Sequence, residues 1–200
     1  MFTRRHRKER WGNRMKFRSI QKMLDGKFIH RYDITYEAQD GSTKVYEMIS
    51  RNPEIHSRQE LIGKNPDAVV IIMHDETGEK VLLNKEFRLA TGVWVYNFPA
   101  GLIDAGETPD ESAKRELWEE TGLTVQSIDD HIPLSYSAIG FSNETNVCVV
   151  GTAVGSFRES TSVVEEIEPG WYTKEEVRKL LREYPFAART QAYCYAWSRQ

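Results

Sequence analysis

The stretch from 101 to 123, GLIDAGETPDESAKRELWEETGL, constrains this chain more than any other. Thr108 is followed by a proline and then by Glu111, which is the order of an N-cap, a first helical residue and the third helical residue of a capping box. Gly122 can adopt the left-handed conformation that ends a helix. The spacing therefore predicts a helix over 109–121.

Three acidic residues of this helix are spaced to share one face. Glu116, Glu119 and Glu120 are three and four residues apart, and the two glycines ahead of the helix bracket a loop that brings Glu107 back towards it. One interpretation is a solvated acidic face. The other is a site for a hard cation such as Mg²⁺, which takes oxygen ligands and is shared with substrate phosphates. Arg115 can pair with a glutamate and fix its side chain.

Composition limits the class of protein. Two hundred residues suffice for one sizeable domain with a small appendage, and a net charge of −3 argues against a molecule that binds polyanions over its whole surface. Cys148 and Cys194 have neither disulfide nor zinc spacing, so we expect a cytoplasmic protein with reduced thiols. We expect no membrane span and no secretory signal, because no apolar run is long enough.

Three segments are predicted. Residues 1–18 hold eight Arg or Lys and one acid, which is typical of a loosely docked basic arm; nucleic-acid binding and organelle targeting are the alternatives. Residues 19–56 form a β unit around a hairpin whose Asp-Gly turn lies at 40–41. Residues 57–200 form the main domain.

The main domain mixes strands with a few helices in no strict alternation, so we predict an α+β fold with a mixed sheet between helices. The residues just after the hairpin, 54–66, are predicted to be a connection. Besides the helix at 109–121, predicted strands lie at 68–75, 80–88, 93–99, 131–137, 145–154 and 167–171, and predicted helices at 174–183 and 186–198.

The acidic helix and its loop fit the pattern G-x5-E-x7-R-E-U-x-E-E-x-G-U, with U aliphatic, at every defined position. The chain thereby resembles the Nudix hydrolase superfamily. The resemblance implies an α/β/α sandwich and Mg²⁺-dependent hydrolysis of a nucleoside diphosphate linked to another group, with Mn²⁺ as a substitute. Over roughly 28–196 the chain is similar to the ADP-ribose (ADP-sugar) pyrophosphatases. That similarity is carried by 46–47, 51, 85–88, 98–104, 139–144 and 165–168.

The resemblance also implies metal ligands and catalytic groups. Glu116, Glu120 and the carbonyl of Ala100 correspond to the metal ligands, and Glu119 to an additional or outer one. Arg115 and Glu119 join Glu120 in the catalytic group. The general base comes from an acidic loop after the helix, which matches Glu165 or Glu166, with Glu165 as the residue we select and Glu144 as a rival.

Substrate contacts are implied in the same way. Arg88 resembles the arginine that contacts the diphosphate. Tyr46 falls where some members stack an aromatic ring on adenine, although a buried strand tyrosine is the alternative. Glu47 and Arg51 would line the same nucleotide pocket. In this family the N-terminal β unit is exchanged across a homodimer, and we expect a homodimer here.

Two departures leave the sugar open. Ala138-Ile139-Gly140 stands where many relatives have Ser-Pro-Gly, and Asn97 stands where an acid is common. The expected reaction is hydrolysis of a nucleoside-diphosphate sugar, ADP-ribose giving AMP and ribose 5-phosphate. Alternatives are a Nudix hydrolase of GDP-mannose, a dinucleoside cofactor or an oxidised nucleotide, and a regulatory module that binds nucleic acid through the basic arm. Neither a nucleic acid nor a membrane is the expected partner.

Overall fold

The computed structural model describes residues 15–62, 65–162 and 164–200, which divide into two units. The first unit holds the described residues up to Asn65 together with Tyr136–Glu144. The second unit holds the described residues of Pro66–Ser135 and Thr145–Gln200. The predicted basic arm lies outside the described residues as far as position 14.

The first unit is a three-stranded antiparallel sheet in the order β1-β2-β3. Its hairpin, β2 (His30–Glu37) and β3 (Thr43–Ser50), was predicted, and Gly41 takes the positive φ of 83° that its turn requires. Strand β1 (Lys16–Asp25) was not predicted, and it includes residues 16–18 of the predicted arm. Two register shifts in β1 break the period-2 alternation by which a strand is recognised.

Short elements after the hairpin complete this unit. The segment predicted as a plain connection contains helix α1 (Arg58–Ile62). A small core gathers from β2, β3 and the segment before α1, and the Tyr32 hydroxyl donates a 2.8 Å hydrogen bond to the Asn52 carbonyl. The buried members of this core are Tyr32, Ile34, Met48 and Ile55.

The second unit is built on a seven-stranded sheet with the central order β10-β5-β4-β9-β8. Strand β6 pairs with β5, and β7 pairs with β4. Strand β4 is parallel to β9 and antiparallel to β7, so the sheet is mixed, as predicted. The strands are β4 (Ala68–His74), β5 (Lys80–Arg88), β6 (Val93–Asn97), β7 (Ala100–Leu102), β8 (Thr124–Tyr136), β9 (Thr145–Val154) and β10 (Ile167–Thr173).

Strand β4 explains the layering, because its alternate residues enter two different cores. Val69 and Ile71 face α2 (Pro109–Thr121) and join its Leu117 in one cluster. Val70 and Ile72 enter the cluster that α3 (Lys174–Glu183) and α4 (Ala188–Trp197) cover. The second unit is therefore the predicted α/β/α sandwich, with α2 on one side of the sheet. No helix among the described residues is both long enough and apolar enough to cross a membrane.

Helix α2 begins and ends where the sequence predicts. The Thr108 hydroxyl accepts from the Glu111 backbone N–H at 3.3 Å, and the Glu111 carboxylate accepts from the Thr108 N–H at 2.8 Å. Gly122 has φ 80° and donates its N–H to the Trp118 carbonyl at 2.9 Å. These local interactions fix the length and rotation of the acidic helix on the sheet.

We expect Thr108→Ala to lower the free energy of unfolding by about 1 kcal/mol, because an N–H in the first turn of α2 loses its acceptor. Thr108→Ser keeps the hydroxyl and should lose much less. Urea unfolding at neutral pH measures both values. Equal losses in the two variants would show that the hydroxyl does not stabilise the helix.

Candidate active site

One guanidinium organises three of the acidic side chains. Arg115 donates from Nε and Nη2 to the two carboxylate oxygens of Glu107, both at 2.8 Å. Its Nη1 donates to Glu116 at 2.7 Å and to Glu119 at 3.3 Å. Nη2 also donates to the Leu102 carbonyl at 3.0 Å, which ties the helix to β7. Arg115 thus sets the rotamers of these glutamates and the position of the loop before α2.

Glu107 is a clamp within the loop. Besides Arg115, its carboxylate accepts from the Ser112 hydroxyl and from the Asp104 N–H. The hydrogen bonds from Arg115 and then Ser112 lower the pKa of Glu107 from 4.5 to about 2. Because both of its oxygens accept from protein donors, Glu107 holds the loop against α2.

Glu120 has the opposite environment. Its side chain is nearly buried, and Asn84 donates a 2.6 Å hydrogen bond from Nδ2 to one of its oxygens. Burial raises the pKa of Glu120 well above its usual range, and the negative charges of Glu116, Glu86 and Glu165 raise it further. A carboxylate surrounded by like charges is stabilised by any cation that enters between them.

The backbone of β7 comes unusually close to these carboxylates. A Cβ added at Gly101 would overlap the carboxyl group of Glu116. A backbone hydrogen bond at Ala100 opposes the rise in the pKa of Glu120. Strand β7 is held there by its pairing with β4. A side chain at this position would displace the Glu116 carboxylate from the place where Arg115 holds it, so glycine suits the residue that opens the motif.

Strand β5 contributes two polar residues that were not among the predicted site residues. Glu86 is buried and accepts a 3.0 Å hydrogen bond from the Asn97 side chain, and burial raises its pKa. The Arg88 guanidinium lies 3.6 Å from the other oxygen of Glu86. Asn84 was missed as well. A signal was available, because residues 84, 86 and 88 are polar at alternate positions that follow the buried, apolar residues 81–83 of the strand.

The three candidates for the general base fall in different surroundings. Glu165 is exposed in the segment before β10, and its charge raises the pKa of Glu86, Glu116 and Glu120. The Glu166 carbonyl accepts from the Phe87 N–H at 3.0 Å.

Glu144, the third candidate, belongs to the first unit. It accepts hydrogen bonds from Arg51 at 2.6 Å and from the Ser137 hydroxyl at 2.7 Å. The carboxylate of Glu144 is therefore engaged by protein donors, as that of Glu107 is, whereas the charge of Glu165 acts on the carboxylates of the second unit.

Of the predicted nucleotide-contacting residues in the first unit, Tyr46 and Glu47 lie in the middle of β3 and Arg51 directly follows the strand. Tyr46 is 40% exposed and donates its hydroxyl hydrogen to the Gly140 carbonyl, so it is not the buried tyrosine of the alternative interpretation. Glu47 pairs with Arg31 at 2.9 Å, and Arg51 pairs with a glutamate as described above. A cavity of about 250 Å³ in this unit is lined by aromatic and aliphatic side chains, among them those of Tyr46, Met48 and Phe141.

Known proteins share this fold and motif. The NUDIX domain family matches residues 64–194, so the chain belongs to that family. An ADP-ribose pyrophosphatase of Saccharomyces cerevisiae is 32% identical over 152 residues, which cover 76% of this chain and 64% of the relative. An ADP-sugar pyrophosphatase of Mus musculus is 32% identical over 158 residues, covering 76% and 66%. The match thus spans slightly under two thirds of each relative.

A solved structure agrees on the fold. The crystal structure of an ADP compounds hydrolase superposes with a TM-score of 0.64 at 21% identity, covering 84% of this chain and 83% of the other. The resemblance to the Nudix superfamily, and within it to the ADP-ribose pyrophosphatases, is confirmed by these comparisons, and so is the mixed-sheet fold.

Replacing Glu107 with Gln should make the protein less stable in a pH-dependent way. Because the folded-state pKa of about 2 lies below the ordinary 4.5, the ionised group contributes stability above pH 4.5 that is lost as the pH falls towards 2. We expect Glu107→Gln to lower Tm at pH 7, and its difference from the wild type to shrink below pH 4.5. Circular dichroism melts across this range measure it.

The matched control is Glu79→Gln, which changes an exposed glutamate in the turn before β5. It should leave Tm and its pH dependence close to those of the wild type. If the destabilisation by Glu107→Gln were the same at pH 3 and pH 7, the ionised clamp would not be its cause.

Proposed function

We propose that the chain hydrolyses the diphosphate bond of a nucleoside-diphosphate sugar with Mg²⁺, and that it converts ADP-ribose to AMP and ribose 5-phosphate. The observation that carries this proposal is the crowding of acidic groups around the buried Glu120, whose pKa is raised by burial and further by the charges of Glu116, Glu86 and Glu165. The names of the yeast and mouse relatives support the choice of ADP-ribose as the first substrate.

The residues present suit a divalent metal ion by their chemistry. Carboxylate and carbonyl oxygens are the ligands that Mg²⁺ prefers. Glu116 lies against Gly101, where no side chain intervenes, and the Oδ1 atom of Asn84 beside Glu120 is buried without a hydrogen-bond partner among the described residues. Among the residues that the structure describes, no three acidic, His or Cys side chains are already grouped as ligands of one ion. Closing of the carboxylates around an entering cation would complete the site.

Glu116, Glu120 and the Ala100 carbonyl would hold the Mg²⁺, with Glu119 as an additional ligand and Mn²⁺ as a substitute. When bound, the ion supplies positive charge that stabilises the phosphate oxygens during hydrolysis. Arg115 holds Glu116 and Glu119 in place for this.

The remaining residues act on water and substrate. Glu165 takes a proton from the water that attacks one phosphorus, and the bond from that phosphorus to the bridging oxygen breaks. Arg88 donates hydrogen bonds to the diphosphate, where negative charge develops. In the first unit, the partly exposed ring of Tyr46 offers a face for adenine, and Glu47 and Arg51 offer polar contacts.

The direct test is a product assay. Incubation of the purified chain with ADP-ribose and Mg²⁺ should yield AMP, measured by chromatography, and EDTA should stop the reaction. A parallel panel containing GDP-mannose, a dinucleoside cofactor and an oxidised nucleotide tests the other Nudix substrates. Absence of turnover on every nucleoside-diphosphate sugar would remove the proposed function.

Glu120→Gln should abolish most of the metal-dependent activity and leave the fold intact. Since the folded-state pKa of Glu120 is raised, its ionisation costs stability as the pH rises above the ordinary 4.5. In EDTA at pH 8 we therefore expect a Tm at or above that of the wild type, because the amide carries no charge. Near-normal turnover in this variant would contradict the role of Glu120.

We also propose that the chain forms a homodimer through the first unit. That unit exposes several large apolar side chains. Single exposed apolar residues are normal, whereas a group of them marks an interaction site. Among the exposed side chains of this unit are Val45, Tyr46, Ile62, Ile139 and Phe141. Light scattering at micromolar concentration should give twice the chain mass.

Ile139→Asp should weaken the dimer by placing a charge in its interface. Leu89→Asp is the matched control in the second unit, because both residues are 81% exposed. A monomeric wild type, or equal effects of the two variants, would contradict this interface.

A further inference from the structure

One side of β5 changes from apolar to polar as the strand runs past α2. Because side chains alternate along a strand, Leu82, Asn84, Glu86 and Arg88 share a side. Leu82 packs in the cluster that contains Leu117 of α2. Asn84 meets Glu120, three residues further along that helix. The side chain of residue 85 points the other way, towards the ring of residue 94.

Packing alone does not explain why an asparagine occupies the buried position 84. Asn84 is fully buried, donates one 2.6 Å hydrogen bond to Glu120, and leaves its Oδ1 without a partner among the described residues. A buried polar atom without a hydrogen bond costs free energy that an apolar side chain of the same shape avoids. The one strong contact of Asn84 fixes an oxygen of the most buried glutamate on α2.

The two carboxylate oxygens of Glu86 have different partners, the Asn97 amide and the Arg88 guanidinium. The Asn97 amide donates to one of its oxygens at 3.0 Å, and Asn97 is itself fixed by the Thr190 hydroxyl at 2.8 Å. The second oxygen of Glu86 lies 3.6 Å from the Arg88 guanidinium. This buried carboxylate thus provides a fixed negative charge beside a half-exposed arginine.

We propose that Asn84 and Glu86 are positioning residues, Asn84 for the Glu120 carboxylate and Glu86 for the Arg88 guanidinium. Strand β5 would then set the distance between the cation-binding end and the diphosphate-binding end of the site. Neither residue belongs to the motif of the acidic helix. The proposal rests on the proposed function, because it assigns the cation to Glu120 and the diphosphate to Arg88.

The first experiment measures Mn²⁺ binding to the full chain by calorimetry, without substrate. Asn84→Leu keeps the shape but removes the donor to Glu120, and we expect Mn²⁺ affinity to fall by about tenfold or more, as for other residues that orient metal ligands. Asn84→Ser, which retains a hydroxyl donor, should lose less and covers the case in which the leucine variant does not fold. Lys85→Leu, on the opposite side of the strand, should bind Mn²⁺ like the wild type.

The second experiment measures binding of a non-hydrolysable ADP-ribose analogue with a methylene group between the phosphorus atoms. Glu86→Gln keeps a hydrogen-bond acceptor for Asn97 but removes the charge that attracts Arg88, so the analogue should bind several-fold more weakly. In the Arg88→Gln background the same change should have almost no effect, because the residue to be positioned is gone.

The outcomes separate the claims. Equal Mn²⁺ affinities of folded Asn84→Leu and Lys85→Leu would overturn the role of Asn84. Additive effects of Glu86→Gln and Arg88→Gln would overturn the role of Glu86. A wild-type chain that binds neither Mn²⁺ nor the analogue would refute the proposed function itself, and that result is visible before any variant is made.

Discussion

Repulsion among glutamates is the constraint on which the site depends. Their carboxyl groups are gathered on one side of α2, and a single guanidinium, that of Arg115, is hydrogen-bonded among them. The same arginine lowers the pKa of Glu107, whereas burial and neighbouring negative charge raise that of Glu120. Chemically identical groups, one in the loop and one on the helix, thus differ through their surroundings: one supports the loop, and the other is the carboxylate to which we propose that a cation binds.

The scaffold maintains this crowding by stabilising α2 elsewhere. Apolar residues of the helix pack on β4 and its neighbours, and a capping box fixes its first turn. Strand β7 then brings Gly101 against Glu116, so that the carboxyl group occupies the space that a side chain at position 101 would need. Burial of the apolar side offsets the electrostatic cost, which explains how an acidic cluster can persist in a folded chain.

Interactions that are local in the chain could be predicted from the sequence, and those that depend on distant pairing could not. The bounds of α2 follow from Thr108, Glu111 and Gly122, which act within one turn of the helix. Strand β1 was not predicted because its register shifts interrupt the alternation of side chains. Strand β7 was not predicted because three residues are too few to show a periodic pattern.

The same division holds within the site. The motif predicted the glutamates that lie on α2 and on the short loop before it, because these residues are close together in the sequence. The roles of Asn84 and Glu86 required knowing that β5 lies beside α2, a matter of sheet order that no local pattern contains. Similarly, the difference between the surroundings of Glu144 and Glu165 is a property of their tertiary neighbours.

The parallel pairing of β4 with β9 has a consequence for how the molecule forms. Ala68 aligns with Asn146, so this central contact joins parts of the chain that are far apart in sequence. Closing such a long loop costs conformational entropy before the β4–β9 contact can stabilise the chain, and this cost slows folding. During synthesis on the ribosome, the apolar β4 therefore has to wait, uncovered on that edge, until more than half of the chain has been made.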